Sequence, residues 1–305
     1  MNLKSGTTID RYTIVAPLSH SGGTASVYLA TINNDNSRQV AIKVAFADES
    51  GATHEDMLLR HEADLLKQVA WRHPGIVRLI PTPLRKPEFV VRAAHIPEQP
   101  WYMAMEYLKG KSLAENLGAI QKFSFAWKLE LFYRLLTTII FIHDNQQYAH
   151  RDLKPGNIVF RTPVSANLAP DPVLVDFALA IGKDDLGKNA IIDSAHTPEY
   201  ASRERLLKAM GEDASISNVR ASDIWSLGLI FYEILTGKSL LGKGQDVRAT
   251  IIREQLNPYL PSSIPENTVL KNLIAYMLDK DPENRPTASR VLQTLERVFH
   301  PPWAF

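Results

Sequence analysis

The 305-residue chain predicts an α+β fold in two parts, a small strand-rich part carrying one main helix and a larger helical part. Three observations predict it. β-branched or alternating runs, separated by Gly-Gly and Asn-Asn-Asp-Asn turns, fill most of the first hundred residues. A single run with helical spacing interrupts them. Past Lys109-Gly110 the alternation gives way to long amphipathic runs.

Taken in order, the strands fall at 12–16, 25–32 and 39–46. The helix covers 54–70, where Leu58, Leu59, Leu65, Leu66 and Val69 recur on one face, and His73-Pro74 ends it. Trp101 to Leu108 reads as a further strand, Trp-Tyr-Met-Ala-Met-Glu-Tyr-Leu. Helices follow at 125–145, 220–236 and 267–278. Three stretches, 81–100, 161–172 and 208–218, read as irregular surface insertions, each either a partner contact or a tolerated loop.

Composition narrows the function. With 34 basic and 33 acidic residues the net charge is +1, and the basic residues are scattered, so nucleic acid is not an expected partner. There is no cysteine, hence no disulfide and no thiolate metal site. The first ten residues are polar, without the apolar centre of a signal peptide, and no run approaches the ~20 apolar residues of a membrane span. A soluble, cytoplasmic protein with no membrane partner is expected. Its oligomeric state is open.

The chemistry is concentrated in His150-Arg151-Asp152-Leu153-Lys154-Pro155-Gly156-Asn157. One short loop holds a potential base, a cation and a metal-binding amide. Asp152 can accept a hydrogen bond from an attacking hydroxyl, Lys154 can neutralise charge on a moving phosphoryl group, and Asn157 can help hold magnesium. The string resembles the catalytic loop of eukaryotic-type serine/threonine protein kinases.

That resemblance extends from Tyr12 to about Val298 and implies a bilobal protein-kinase-like fold. An N-terminal tail (1–11) would precede an antiparallel-sheet N-lobe (12–108) and a helical C-lobe (109–298), and an aromatic tail (299–305) would either pack back or anchor a partner. Leu18 to Val27 is similar to the glycine loop that covers nucleotide phosphates. Gly22 and Gly23 would approach the phosphate oxygens, while His20 and Ala25 stand where the family has glycines. Lys43, in Val40-Ala41-Ile42-Lys43-Val44, looks like the lysine that holds the α- and β-phosphates. Glu62 on the helix would fix it, with Glu55 a weaker competitor. Val27, Ala41 and Met105 would line the adenine site, with backbone contacts from Glu106 and Leu108. Leu174-Val175-Asp176-Phe177-Ala178 resembles the Asp-Phe-Gly segment, which makes Asp176 and Asn157 the metal residues.

Beyond the site, Arg151 resembles the arginine that meets a phosphate on the activation segment. Asp193 offers a fixed charge in place of that phosphate, and Ser194 is the rival as a true phosphosite. Thr197, in His196-Thr197-Pro198-Glu199-Tyr200, matches the threonine that bridges the catalytic aspartate and lysine. Arg203 stands where proline is usual. Glu204 and Arg285 would form a structural ion pair, and Asp223 would brace the catalytic-loop backbone.

The resemblance thus implies ATP-dependent phosphorylation of serine or threonine hydroxyls on proteins, autophosphorylation included. ATP would lie between the lobes, with magnesium as the cation and manganese as a substitute. The Gly-Gly-Thr-Ala loop looks most like bacterial members. A pseudokinase scaffold and a small-molecule phosphotransferase are the rival readings.

Overall fold

The alternation of the first hundred residues resolves into a seven-stranded antiparallel sheet. Its strands are β1 (Thr8–Ile9), β2 (Tyr12–His20), β3 (Ser26–Ile32), β4 (Asp35–Ala45), β5 (Leu79–Ile80), β6 (Val90–Arg92) and β7 (Trp101–Glu106), with helix α1 (His54–Val69) between β4 and β5. The order is β1-β2-β3-β4-β7-β5, and β6 pairs with a second stretch of β7. The computed structural model describes residues 3–20, 25–45, 54–81, 89–93, 95–96, 99–182, 198–212, 218–241 and 247–300, with His20 by its backbone only. Contacts divide the chain into two units, Met1–Lys109 with Asp176–Ala178, and Gly110–Val175 with Leu179–Phe305.

The turn between β3 and β4 is made by Asn33 and Asn34, at φ +52° and +60°. Asparagine tolerates the left-handed region that a two-residue hairpin loop requires. The cross-strand register then sorts the sheet into two faces. Val27 pairs with Lys43 and Lys43 with Met103, while Leu29 pairs with Ala41 and Ala41 with Met105. These six residues share one face. The opposite face carries Tyr28, Ile42, Val44, Tyr102 and Ala104, all buried in one hydrophobic cluster.

Two segments seal that second face, and both differ from expectation. Residues 3–11 are not a free tail: β1 pairs with β2, and Leu3 and Ile9 enter the cluster. The 81–100 stretch is not wholly irregular either. It contains β6, and Val91, Ala93 and Ile96 are buried in the same cluster. A sheet wet on one face would have left Tyr12, Tyr28 and Tyr102 exposed; the extra segments supply the missing cover.

The second unit contains α2 (Leu113–Ile120), α3 (Phe125–Ile140), a π-helical turn (Phe141–Asn145), β8 (Tyr148–Ala149), a 3₁₀ turn (Pro155–Asn157), β9 (Ile158–Phe160), β10 (Pro172–Leu174) and β11 (Ile181–Gly182). There follow α4 (Arg203–Ala209), α5 (Val219–Thr236), α6 (Val247–Arg253), α7 (Asn267–Met277), a second 3₁₀ turn (Pro282–Asn284) and α8 (Ala288–Phe299). Ser112 and Glu115 form a reciprocal capping box at the start of α2. The expected helix at 125–145 is shorter by one turn, because its last five residues widen into the π turn.

Helix α5 is the axis of this unit, buried without a break from Ala221 to Leu235. Gly228 lets α7 approach it, since a Cβ there would lie 3.1 Å from Met277 and Leu278 side-chain atoms. One turn further along α5, Phe231 stacks on Phe132 of α3, with centroids 3.8 Å apart. Phe299, at the end of α8, packs on Phe125 at 5.4 Å; residues 301–305 lie outside the described set. Among the described residues no helix is long and apolar enough to cross a membrane.

Candidate active site

Lys43 is a strand residue flanked by apolar neighbours and only 4% exposed, so it needs anions. It has two. Its ammonium lies 2.5 Å from Glu62 Oε2 and 2.8 Å from Asp176 Oδ1. Glu62 occupies the buried face of α1, at 0% exposure, and Glu55 does not share that role. Burial pulls the Lys43 ammonium down in pKa, but Asp176 and Glu62 outweigh it and hold the group well above its ordinary value. The other oxygen of Glu62 accepts from the Phe177 backbone N–H at 3.0 Å, so one carboxylate ties the lysine to the segment that follows Asp176.

Asp176 sits at φ +65°, a left-handed conformation that costs a non-glycine residue about 1–3 kcal/mol and marks sites where geometry is imposed. Ala178, where the related segment carries glycine, is buried and is not among the left-handed residues. Its methyl group therefore costs no backbone strain. Val27, Ala41, Lys43 and Met105 project from the same sheet face, as the register requires. At the end of β7, Glu106 is fixed by its own N–H donating to the Arg78 carbonyl at 2.9 Å, and its side chain accepts from Arg78 N–H at 3.0 Å. Leu108 follows outside the strand, half-buried.

The second cluster is the 150–157 loop. Asp152 Oδ2 accepts from Lys154 Nζ at 2.8 Å and from Asn157 Nδ2 at 2.9 Å, and Asn157 Nδ2 also reaches the Asp152 carbonyl at 2.8 Å. Among the described residues Oδ1 of Asp152 accepts nothing. His150 is fully buried, with Nε2 3.2 Å from the Val175 carbonyl and Nδ1 accepting from Asp152 N–H at 3.3 Å. A carbonyl only accepts and an amide N–H only donates, so the hydrogen is on Nε2.

The loop hangs on Asp223 of α5. Its carboxylate accepts from His150 N–H and Arg151 N–H, both at 2.7 Å, and lies 2.8 Å from His143 Nε2. Burial would raise the Asp223 carboxyl, but His143, His150 and the backbone N–H of Arg151 outweigh it and hold it below the usual range. Glu204 and Arg285 form a two-pronged buried pair, Nη1 donating to Oε1 at 2.8 Å and Nη2 to Oε2 at 2.9 Å.

Three contributors were not legible in the sequence. His143 reaches Asp223 because the π turn carries it there, and nothing in the 125–145 pattern marks a π turn. Tyr200 donates to Glu233 at 3.0 Å, and burial pushes that carboxyl up. Arg205 of α4 is buried, and its guanidinium donates to the Arg151 carbonyl. Gly22, Gly23, Asp193, Ser194 and Thr197 lie outside the described residues.

The protein kinase domain family model matches residues 20–295. The serine/threonine-protein kinase PknB of Mycobacterium tuberculosis is 30% identical over 297 residues, covering 95% of this chain and 43% of that protein. PknD of Chlamydia pneumoniae, also a serine/threonine-protein kinase, is 28% identical over 91% of this chain and 30% of its own length. Calcium/calmodulin-dependent protein kinase type I of Schizosaccharomyces pombe is 25% identical, over 89% of this chain and 74% of that protein. The chain thus spans less than half the length of the two bacterial relatives.

Proposed function

This chain belongs to the protein kinase family, among its serine/threonine kinases, and from that premise we propose how its own residues divide the transfer of the ATP γ-phosphoryl group to a protein hydroxyl. The observation that carries the reading is the state of Asp152. One carboxylate oxygen is taken by Lys154 and Asn157, while the other is left to accept the hydrogen of a serine or threonine hydroxyl. Lys154 then stands beside the charge that develops on the transferred group.

Lys43 holds the nucleotide phosphates. An ammonium has three hydrogens; Glu62 and Asp176 take two, and the third serves a phosphate oxygen. Gly22 and Gly23 cover the phosphates with backbone N–H groups. Val27, Ala41 and Met105 contact the adenine, with Glu106 and Leu108 supplying the backbone pair. Arg151 meets the negative charge of the activation segment, supplied either by Asp193 or by a phosphate on Ser194, and Thr197 bridges Asp152 and Lys154.

Oxygen donors of this kind suit a divalent cation that arrives with the nucleotide. Among the described residues no three His, Cys, Asp or Glu side chains form a cage of their own. Asp176 is read as a carboxylate ligand and Asn157 as an amide-oxygen ligand, because magnesium binds through one or two protein oxygens plus phosphates. We assign magnesium ahead of manganese on that ground. Asp176 and Asn157 would hold such a cation, which would supply neutralisation of the nucleotide's phosphate charge. ATP and magnesium are reagents of the cytoplasm, where we place the reaction.

Incubated with γ-labelled ATP and magnesium, the protein should label itself or a basic acceptor protein on serine or threonine. A chelator should return the signal to background, and added magnesium should restore it at least as well as manganese. No transfer with either cation overturns the reading. Ala178 gives a second check. Because Ala178 is unstrained, Ala178→Gly should lower stability by about 0.5–1 kcal/mol and leave transfer within a few-fold of the parent. A dead Ala178→Gly enzyme would show that the methyl group itself positions Asp176.

A further inference from the structure

Arg151 immediately precedes the residue read as the base, and it adopts φ +66°, in the left-handed region. A non-glycine residue persists there only when its surroundings over-determine it. From one side the restraint is plain, because Asp223 accepts both the His150 and Arg151 N–H groups. That leaves the peptide between Arg151 and Asp152. Its orientation fixes ψ of Arg151 and φ of Asp152, and therefore the direction in which the Asp152 carboxylate leaves the backbone.

The carbonyl of that peptide is taken by Arg205. We propose that Arg205 is a positioning residue for Asp152: Asp223 holds the peptide before Arg151, and the Arg205 guanidinium clamps the Arg151–Asp152 peptide that follows and so aims the Asp152 carboxylate. The inference rests on the reading of Asp152 as the base. Arg205 suits the task because it cannot move. It is 5% exposed, and it directly follows Glu204, whose carboxylate is gripped by Arg285 and by the Ser222 hydroxyl of α5 at 3.0 Å. Asp223 stands on the same helix one residue after Ser222. The two arms that hold the loop thus spring from one buried α4–α5 junction.

A second cation is costly beside Arg151. Burial, and then Arg151, pull the Arg205 guanidinium down to about 10, with Asp152, Asp223 and Glu204 acting in the opposite sense. A merely space-filling side chain at this place would be apolar. Here the charged side chain donates to the Arg151 carbonyl.

The test is a kinetic double-mutant cycle. The catalytic constant and KM for magnesium-ATP are measured for Arg205→Met and Arg205→Lys, each alone and combined with Asp152→Asn. A positioning role predicts that Arg205→Met lowers kcat at least about tenfold with KM for ATP changed by no more than about twofold. Arg205→Lys, which keeps a donor, should fall between. In the Asp152→Asn background neither change should lower the residual rate further, because there is no longer a base to aim. If Arg205→Met fails to fold, the lysine variant carries the cycle alone. Equal losses in both backgrounds, or Arg205 variants at the parental kcat beside an impaired Asp152→Asn, overturn the inference and leave the assignment of Asp152 standing. An Asp152→Asn enzyme at full rate overturns both.

Discussion

Replacing Asp152 by alanine should lower kcat by about 10²–10⁴-fold, the range expected when a positioned base is removed, with little change in KM for ATP. The split follows from where the residue stands. Asp152 touches Lys154 and Asn157 of its own loop, while the lysine read as holding the nucleotide phosphates, Lys43, is bound by Glu62 and Asp176. Alanine also releases Lys154 and Asn157 from their common oxygen, so part of the loss will come from their disorder. Asp152→Asn separates the two contributions. It keeps an amide oxygen that Lys154 can meet and replaces the charged acceptor left for the hydroxyl with an NH2 donor, so an asparagine variant as poor as alanine would place the loss in the chemistry. The loop itself should survive both changes, because its backbone is held by Asp223 at 2.7 Å and not by the Asp152 side chain. A kcat within tenfold of the parent for both variants would remove Asp152 from the role of base.

How far such residues can be read without coordinates depends on how local their geometry is. The groups of the 150–157 loop are neighbours in sequence, and a loop that short leaves them few ways to be apart. Lys43 and Glu62 are nineteen residues apart, and only the family resemblance paired them, since a lone strand lysine and a helix glutamate read by themselves as surface residues; the structure puts Glu62 on the buried side of α1, within reach of Lys43. Cooperation between remote segments left no such trace. The second core of the sheet needs Leu3 and Ile9 from a polar stretch and Ile96 from a proline-rich one, and single apolar residues there carry no period. Arg205 was hidden for another reason. It lies inside an ordinary helical string, and its target is a backbone carbonyl, which no side-chain pattern announces.

Lys43→Met should cost both activity and stability, and the two losses should come apart in a second variant. Removing a preorganised cation from the phosphates lowers kcat by about 10²–10³-fold, judged by comparable single electrostatic deletions. Independently, it leaves Glu62 buried without its cation and Asp176 beside it, and breaking a buried pair by deleting one partner costs about 3–5 kcal/mol. The pH dependence carries a definite sign. Burial already pushes the Glu62 carboxyl up, and loss of Lys43 takes away the charge that opposed the push. An acid whose folded pKa lies above its unfolded value destabilises the fold at high pH and ceases to do so as pH falls through the folded value. The stability gap between parent and Lys43→Met should therefore narrow on acidification from neutral pH, as read by thermal melting. In Lys43→Met/Glu62→Gln the orphan charge is gone, while an amide oxygen remains for the Phe177 N–H. Most of the lost stability should return at neutral pH, and none of the lost transfer. Transfer that returned together with stability would make Lys43 a scaffold cation only, and the contact with the nucleotide phosphates would have to be sought elsewhere.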